Sequence, residues 1–170
     1  MRDALILAGL TLGAVAAFFP AGRDRAAELP SPSVTGPAAP VAEGGAGGPV
    51  ELRRAGDGHF YAPVTVGARP VTMLVDTGAS VVALTGEDAR LAGVGWNPGQ
   101  LAVVAQGAGG PVRGVAVTLD RVRLGEHEAR GVAAVVIPEG LPVSLLGQSF
   151  LSGVEPMRIE RDRMVIGDQK

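Results

Sequence analysis

Val71-Thr72-Met73-Leu74-Val75-Asp76-Thr77-Gly78-Ala79-Ser80 is the stretch on which the reading of this chain turns. A strand from Val71 to Val75 runs straight into an acid, a hydroxyl residue and a glycine. Gly78 permits a tight turn that brings backbone N–H groups close to the Asp76 carboxylate. Thr77 offers a hydroxyl that can lock the loop. Asp, Thr and Gly are also ordinary turn residues, so the tripeptide alone is equally a plain strand-ending turn.

Outward from this stretch the pattern is β. From Val50 on, short apolar runs alternate with Gly, Pro and Asp punctuation every eight to twelve residues, which points to an all-β domain. Phe60 to Val66 reads as a strand that forms a hairpin with Val71 to Val75 through a turn at Gly67-Ala68-Arg69-Pro70. Val81 to Leu84 is the next strand. Thr85 is then an N-cap, with Asp88 three residues on, opening a short helix through Leu91 that stops at Gly93. Leu101 to Val104 and Val115 to Leu119 flank a Gly-rich connection, Gln106 to Pro111. Arg121 to Leu124 and Val132 to Ile137 read as a hairpin around Gly125-Glu126-His127-Glu128. Met157 to Glu160 and Arg163 to Ile166 alternate around a turn at Arg161-Asp162. No internal repeat is visible.

The other end of the chain is of a different kind. Ala4 to Phe19 carries no charge and, as a helix, would span about 24 Å, slightly short of a hydrocarbon core of about 30 Å. A cleaved signal peptide also has such an apolar middle, but Phe18 and Phe19 extend the run beyond the small residues Ala14-Val15-Ala16. Residues 1–20 are therefore expected to be a transmembrane anchor or signal segment. The charges flanking it are too balanced to orient it. Residues 21–49, with Pro30, Pro32, Pro37, Pro40 and the run Gly44-Gly45-Ala46-Gly47-Gly48, bury little apolar surface and are expected to be a disordered spacer. Residues 50–170, about 120 in all, are long enough for one modest core.

Composition narrows the chemistry. The chain has no Cys, which removes disulfides, thiolate nucleophiles and Cys-based zinc sites. It has two His, His59 and His127, too few for a His-rich metal site. His59 reads as a strand or hairpin residue, His127 as a solvated turn residue, and Asp57-Gly58 as a turn. A net charge of −2 without a basic patch argues against nucleic acid. Gln106 to Pro111 lacks the ending of a phosphate loop, and Gly147-Gln148-Ser149-Phe150-Leu151 fails as a nucleophile elbow because Leu151 occupies the last Gly position.

A second motif decides between turn and site. Val143-Ser144-Leu145-Leu146-Gly147-Gln148-Ser149-Phe150-Leu151 follows downstream. Together with Gly58-His59-Phe60 and Val75 to Ser80, this Leu-Leu-Gly stretch resembles the retropepsin-like aspartic proteases, and among them a bacterial single-lobe family with an N-terminal membrane segment. The resemblance covers roughly Leu52 to Gly167. It implies a closed, mostly antiparallel retropepsin-like β-barrel lobe with one or two short helices. Family members use two Asp-Thr-Gly loops and this chain has one, so the resemblance implies a C2 homodimer with Asp76 of both copies on the axis. Two carboxylates about 3 Å apart do not both ionise easily, so such a pair holds one proton, activates a water and polarises the scissile carbonyl.

The resemblance also assigns the remaining roles. Asp76 is catalytic, and Thr77, Gly78, Ala79 and Ser80 support its loop, Thr77 by reaching across the axis. Leu145, Leu146 and Gly147 back the loop. Extended peptide substrates pair with strand edges under a flap, for which Leu101 to Val117 is the candidate, with Gln106, Gly107, Ala108, Gly109 and Gly110 at its tip. Retroviral relatives usually carry an acid where this chain has Ser80. The expected activity is aspartic endopeptidase, without metal or cofactor, anchored in a bacterial inner membrane with the protease domain in the periplasm. The alternative is a catalytically silent β domain that binds peptides or dimerises at the membrane surface.

Overall fold

The computed structural model describes residues 48–107, 110–154 and 156–167. The expected anchor and all of the expected spacer except Gly48 and Pro49 lie outside the described residues, as do Ala108 and Gly109 at the expected flap tip. Among the described residues no helix is long and apolar enough to cross a membrane.

Among the described residues, ten strands and two short helices follow one another. They are β1 Val50–Arg53, β2 Tyr61–Val66, β3 Arg69–Val75, β4 Val82–Thr85, α1 Gly86–Leu91, β5 Ala102–Gly107, β6 Gly110–Leu124, β7 His127–Ile137, β8 Ser144–Leu146, α2 Gln148–Leu151, β9 Met157–Glu160 and β10 Arg163–Ile166. A 3-10 turn at Pro98–Gln100 precedes β5. Six strands close into a barrel in the order β2-β3-β8-β4-β7-β6. The last returns to the first through Thr65↔Arg123 and Val66↔Val122. Most neighbours are antiparallel; β3–β8 and β4–β7 are parallel. Closure leaves the barrel without the exposed edges of an open sheet.

Alternation fills the barrel. In β2, Ala62, Val64 and Val66 face inward while Pro63 and Thr65 do not. With Met73, Leu84, Val122, Val136 and Leu146 they make a largely aliphatic core in which Phe60 and Phe150 are the buried aromatics, consistent with a chain only 4% aromatic. The separate sheet, ordered β1-β10-β9, adds Val50, Leu52, Met164 and Ile166 to this core. Thr85 caps α1 by accepting from Asp88 N at 3.0 Å, as the sequence suggests, and Gly93 beyond the helix has φ +71°.

Several boundaries differ from the sequence reading. The connection between β2 and β3 is only Gly67-Ala68, with Arg69 and Pro70 already in β3. Gly67 adopts φ +60°, and its backbone is held to β6 by Gly67 N→Arg121 O (2.9 Å) and Arg121 Nη2→Gly67 O (2.9 Å). The stretches Val115–Leu119 and Arg121–Leu124 are one strand, β6, because Asp120 simply faces solvent on its exposed side. The β6–β7 turn is Gly125-Glu126, so His127 and Glu128 belong to β7. The Gly-rich connection is not a loop throughout. β5 and β6 pair up to Gln106↔Pro111 and Gly107↔Gly110, making a long hairpin that projects from the barrel.

Candidate active site

The Asp76 loop begins where β3 ends, and the backbone there is held from both sides. Val75 N donates to Phe60 O at 2.9 Å, and Asp76 N donates to Leu146 O at 3.1 Å. The chain then turns on itself. Gly78 N donates to Asp76 Oδ1 at 2.9 Å and Ala79 N to Asp76 O at 3.3 Å. The carboxylate is thus fixed by its own loop, half-buried, with Thr77, Gly78 and Ser80 exposed and Ala79 buried. A carboxylate oxygen that accepts a backbone N–H has a defined direction, a first requirement for positioning a water.

The Leu-Leu-Gly stretch crosses directly beneath. β8 runs parallel to β3 with Leu74↔Leu145 and Val75↔Leu146 in register. Successive side chains point to opposite sides. Leu146 enters the barrel core, whereas Leu145 joins a second apolar cluster with Leu74, Ala79, Ala83 and Ile137. Gly147 occupies the crossing itself. A Cβ there would overlap Val81 O and lie 2.6 Å from Val81 C and 2.8 Å from Ala79 O, all backbone atoms. Only glycine lets the two segments approach this closely.

α2 then clamps the loop. Its first N–H groups have no intrahelical acceptor. They donate instead to the loop, Gln148 N→Ala79 O at 2.8 Å and Ser149 N→Ser80 O at 3.1 Å. Gln148 Nε2 reaches Thr77 O at 3.0 Å. Ser149 Oγ accepts from Val82 N (3.0 Å) and donates to Ala133 O (2.7 Å), tying the loop's exit to β4 and β7. Gln148 and Ser149 were visible in the sequence only as members of the downstream motif; their roles depend on side-chain contacts made 71 and 67 residues away.

The structure therefore brings Asp76, Thr77, Gly78, Ala79, Ser80, Leu145, Leu146 and Gly147 into one place. The β5–β6 hairpin meets the same region from outside, because Val112 packs on the cluster of Leu74, Ala79 and Leu145. Leu141, Val143 and Tyr61, each half-buried, also pack against this cluster beside the loop. Gln106, Gly107 and Gly110 lie at the far end of the hairpin.

One polar group borders the apolar surface. Tyr61, opposite Leu74 in the β2–β3 ladder, donates its hydroxyl to Asp57 Oδ2 at 2.6 Å. His59 N donates to Asp57 Oδ1 at 3.0 Å, and His59 Nδ1 lies 3.5 Å from the same oxygen. Burial, and then the bond to Asp57, push the Tyr61 phenol up to about 12. The Tyr61 hydroxyl and the His59 N–H hold Asp57 below the ordinary carboxylate value. Asp57 and His59 read from sequence as turn and strand residues, and nothing there pairs them with Tyr61. Among the described residues no three His, Asp or Glu side chains converge as a metal-ligand set.

Comparison with known proteins agrees with this architecture. A family model described as "gag-polyprotein putative aspartyl protease" matches residues 62–153. An uncharacterized protein from the cobV 5′ region of Sinorhizobium sp is 38% identical over 122 residues, which cover 70% of this chain and 52% of that protein. An uncharacterized protein of Rickettsia prowazekii (strain Madrid E) is 34% identical over 119 residues, covering 70% of this chain and 51% of that protein. The chain thus spans about half the length of the curated relatives it matches. The crystal structure of a retropepsin-like aspartic protease from Rickettsia conorii superposes with a TM-score of 0.59 at 32% identity, covering 70% of this chain and 89% of that one. With a closed β-barrel, an Asp-Thr-Gly loop seated on a Leu-Leu-Gly strand and a family model spanning more than half of its residues, the chain belongs to the gag-type aspartyl protease family, in its bacterial retropepsin-like group.

Proposed function

We propose that the chain is an aspartic endopeptidase whose catalytic pair is Asp76 from each of two copies. The observation that carries this reading is the setting of Asp76. It stands at the end of β3 with its carboxylate aimed by Gly78 N–H, in a loop clamped by Gln148 and Ser149 over Gly147. One such loop per chain supplies half of a two-carboxylate site.

In the pair, one carboxylate is charged and the other protonated, because like charges this close do not both ionise. The charged one takes a proton from a water as it attacks the scissile carbonyl. The protonated one hydrogen-bonds the carbonyl oxygen, and the proton gained is delivered to the leaving amine. Thr77 meets the opposing copy in this reading, and its exposure on the loop supports that role. The half-buried apolar side chains of Tyr61, Val112, Leu141 and Val143 around the buried Leu74 and Leu145 support a preference for apolar side chains beside the scissile bond. The β5–β6 hairpin, including Gln106, Gly107, Ala108, Gly109 and Gly110, acts as the flap over an extended substrate. Residues 1–20 anchor the enzyme in a bacterial inner membrane, and residues 21–49 tether the domain of residues 50–170 on the periplasmic side.

The test is cleavage of an unstructured protein by the purified chain across acid to neutral pH, beside Asp76→Asn and with a pepstatin-type transition-state mimic. Cleavage by the wild type alone, blocked by the mimic, supports the reading. Cleavage that survives Asp76→Asn sinks it. No cleavage by a folded, dimeric wild type favours a silent peptide-binding module.

A further inference from the structure

The pairing of β2 with β3 carries on past the start of β2 and places His59 beside Asp76. Tyr61↔Leu74 is in register, and Val75 N donating to Phe60 O extends the pairing to Phe60 and Val75. The next row is His59 and Asp76. Their backbones turn away from each other, His59 O to Ala55 N at 2.7 Å and Asp76 N to Leu146 O at 3.1 Å. That is the pattern of a non-hydrogen-bonded pair, in which Cα atoms stand about 4.5 Å apart and side chains share a face. By alternation Tyr61 and Leu74 share that face too, while Phe60 and Val75 turn to the barrel core. His59 and Tyr61 therefore lie on the same side of the sheet as Asp76.

Asp57 reaches this face from the turn before β2. Its Oδ2 accepts from the Tyr61 hydroxyl at 2.6 Å, and its Oδ1 accepts from His59 N at 3.0 Å with His59 Nδ1 3.5 Å away. A carboxylate that meets both side chains lies on their side of the sheet. Its two donors, a phenol and a backbone N–H, are neutral. They hold Asp57 in its charged form without cancelling the charge. The side chain is 50% exposed, and each oxygen keeps a lone pair for a further donor. Arg54, the guanidinium nearest in sequence, is engaged elsewhere. It donates to Gly58 O at 2.8 Å and to Arg161 O at 2.9 Å, and lies 4.4 Å over the Phe60 ring. Among the described residues Arg130 pairs with Glu128 and Arg163 with Glu51, and no arginine pairs with Asp57. A charged, directed and half-exposed carboxylate therefore borders the apolar cluster next to Asp76, and its complement is a cation brought by another molecule.

We propose that Asp57 is a specificity-determining residue, whose carboxylate binds a lysine or arginine side chain of the peptide substrate close to the scissile bond. The inference rests on the protease reading above for the nature of the substrate. It adds a charge requirement to the apolar one. An extended peptide alternates its side chains, so one that sets an apolar residue against the cluster of Leu74 and Leu145 can offer a basic residue to the rim where Asp57 stands. Tyr61 serves both, with its ring on the cluster and its hydroxyl aiming Asp57.

The test is binding of labelled peptides to the full chain carrying Asp76→Asn, which keeps an acceptor for the Gly78 N–H and leaves the peptide uncut. The peptides share one apolar sequence in which a single Lys, Gln or Glu is stepped through every position. Fluorescence anisotropy is read at about pH 8, at the upper end of the range in which histidine changes charge. At one position Lys is expected to bind about fivefold more tightly than Gln at low salt, and Glu more weakly than Gln, with the differences shrinking as salt is raised. Adding Asp57→Asn should bring the Lys peptide down to the Gln peptide, and Asp57→Lys should reverse the order in favour of Glu. A chain that prefers Lys at no position overturns the proposal, as does a Lys preference that survives Asp57→Asn. Equal weakening of all three peptides by Asp57→Asn would mean that Asp57 only shapes its turn, and also overturns it. Asp57-dependent binding of the Lys peptide without Asp76-dependent cleavage by the wild type upholds this site and counts against the protease reading. Asp76-dependent cleavage with no Lys preference does the reverse.

Discussion

At Gly147 the whole arrangement depends on the absence of one carbon. The atoms that a Cβ would meet, in Val81 and Ala79, are backbone and cannot rotate away. Gly147→Ala must therefore push the Asp76 loop off β8 or unfold it locally. We expect a loss of about 3 kcal/mol or more, read as a lowered midpoint in urea unfolding, with cleavage falling further than stability. Tyr61 offers a separate reading of the loop's surroundings, because it is the only tyrosine in the chain. Its phenol, raised to about 12 from 10.0 by burial and by Asp57, favours the neutral form in the folded state. The stability this gives is fully present below 10.0 and is lost as pH rises toward about 12. Ultraviolet titration of phenolate should accordingly find a midpoint near 12. Asp57→Asn should bring it down while leaving it above the ordinary value, since burial is the larger cause. A midpoint unmoved by Asp57→Asn would show that the Tyr61–Asp57 bond contributes nothing.

Between elements, the junction of α1 with β4 and β8 holds Ser144, the one buried polar side chain among the described residues. Ser144, fully buried, donates to Asp88 Oδ2 and accepts from Thr85 N at 3.0 Å. Thr85 Oγ1 accepts from Asp88 N and donates to Asp88 Oδ2, each at 3.0 Å. Each group satisfies another, so losses should not add. Thr85→Ala should cost about 1 kcal/mol through the lost cap. Ser144→Ala should cost about 1–3 kcal/mol through a buried N–H and carboxylate left short of a partner. The double variant should lose less than the sum by at least about 0.5 kcal/mol, measured by a double-mutant cycle in urea. Strict additivity would mean the three side chains act independently.

Thr85 also illustrates what could be read in advance. Its cap on α1 is a local pattern, as are the alternation of β2, the β9–β10 hairpin and the turn into Asp-Thr-Gly, and these are visible in the sequence. β1 is not legible as a strand, although Val50-Glu51-Leu52 alternates, because its partner β10 lies more than a hundred residues away. β6 reads as two strands in the sequence, since Asp120 interrupts an apolar run even though it only faces water. The β5–β6 hairpin reads as a loop in the sequence because Gly107, Gly110 and Pro111 are strand breakers, and pairing across the hairpin overrides them. At the site, the chemistry-bearing residues are contiguous and could be quoted. The clamp by Gln148 and Ser149 and the pairing of Asp57 with Tyr61 arise only when distant segments meet.

For the molecule as a whole, the decisive quantity is the number of Asp-Thr-Gly carboxylates, one per chain. If cleavage needs Asp76 from two copies, a chain carrying Asp76→Asn should poison its partner as well as itself. Asn keeps an oxygen that can accept the Gly78 N–H, so the variant loop should hold its shape and pair like the wild type. Equal amounts of the two chains, co-expressed so that they assemble at random, should then form about one quarter wild-type pairs, one half mixed pairs and one quarter variant pairs. Activity per total chain should fall to about one quarter of wild type, whereas a chain acting alone would retain about one half. Differently tagged chains allow the mixed pairs to be isolated by two successive affinity steps. Mixed pairs devoid of cleavage would tie the reaction to both carboxylates. Mixed pairs half as active as wild type would mean that each copy works on its own, and the shared-proton mechanism would have to be given up even if dimers form.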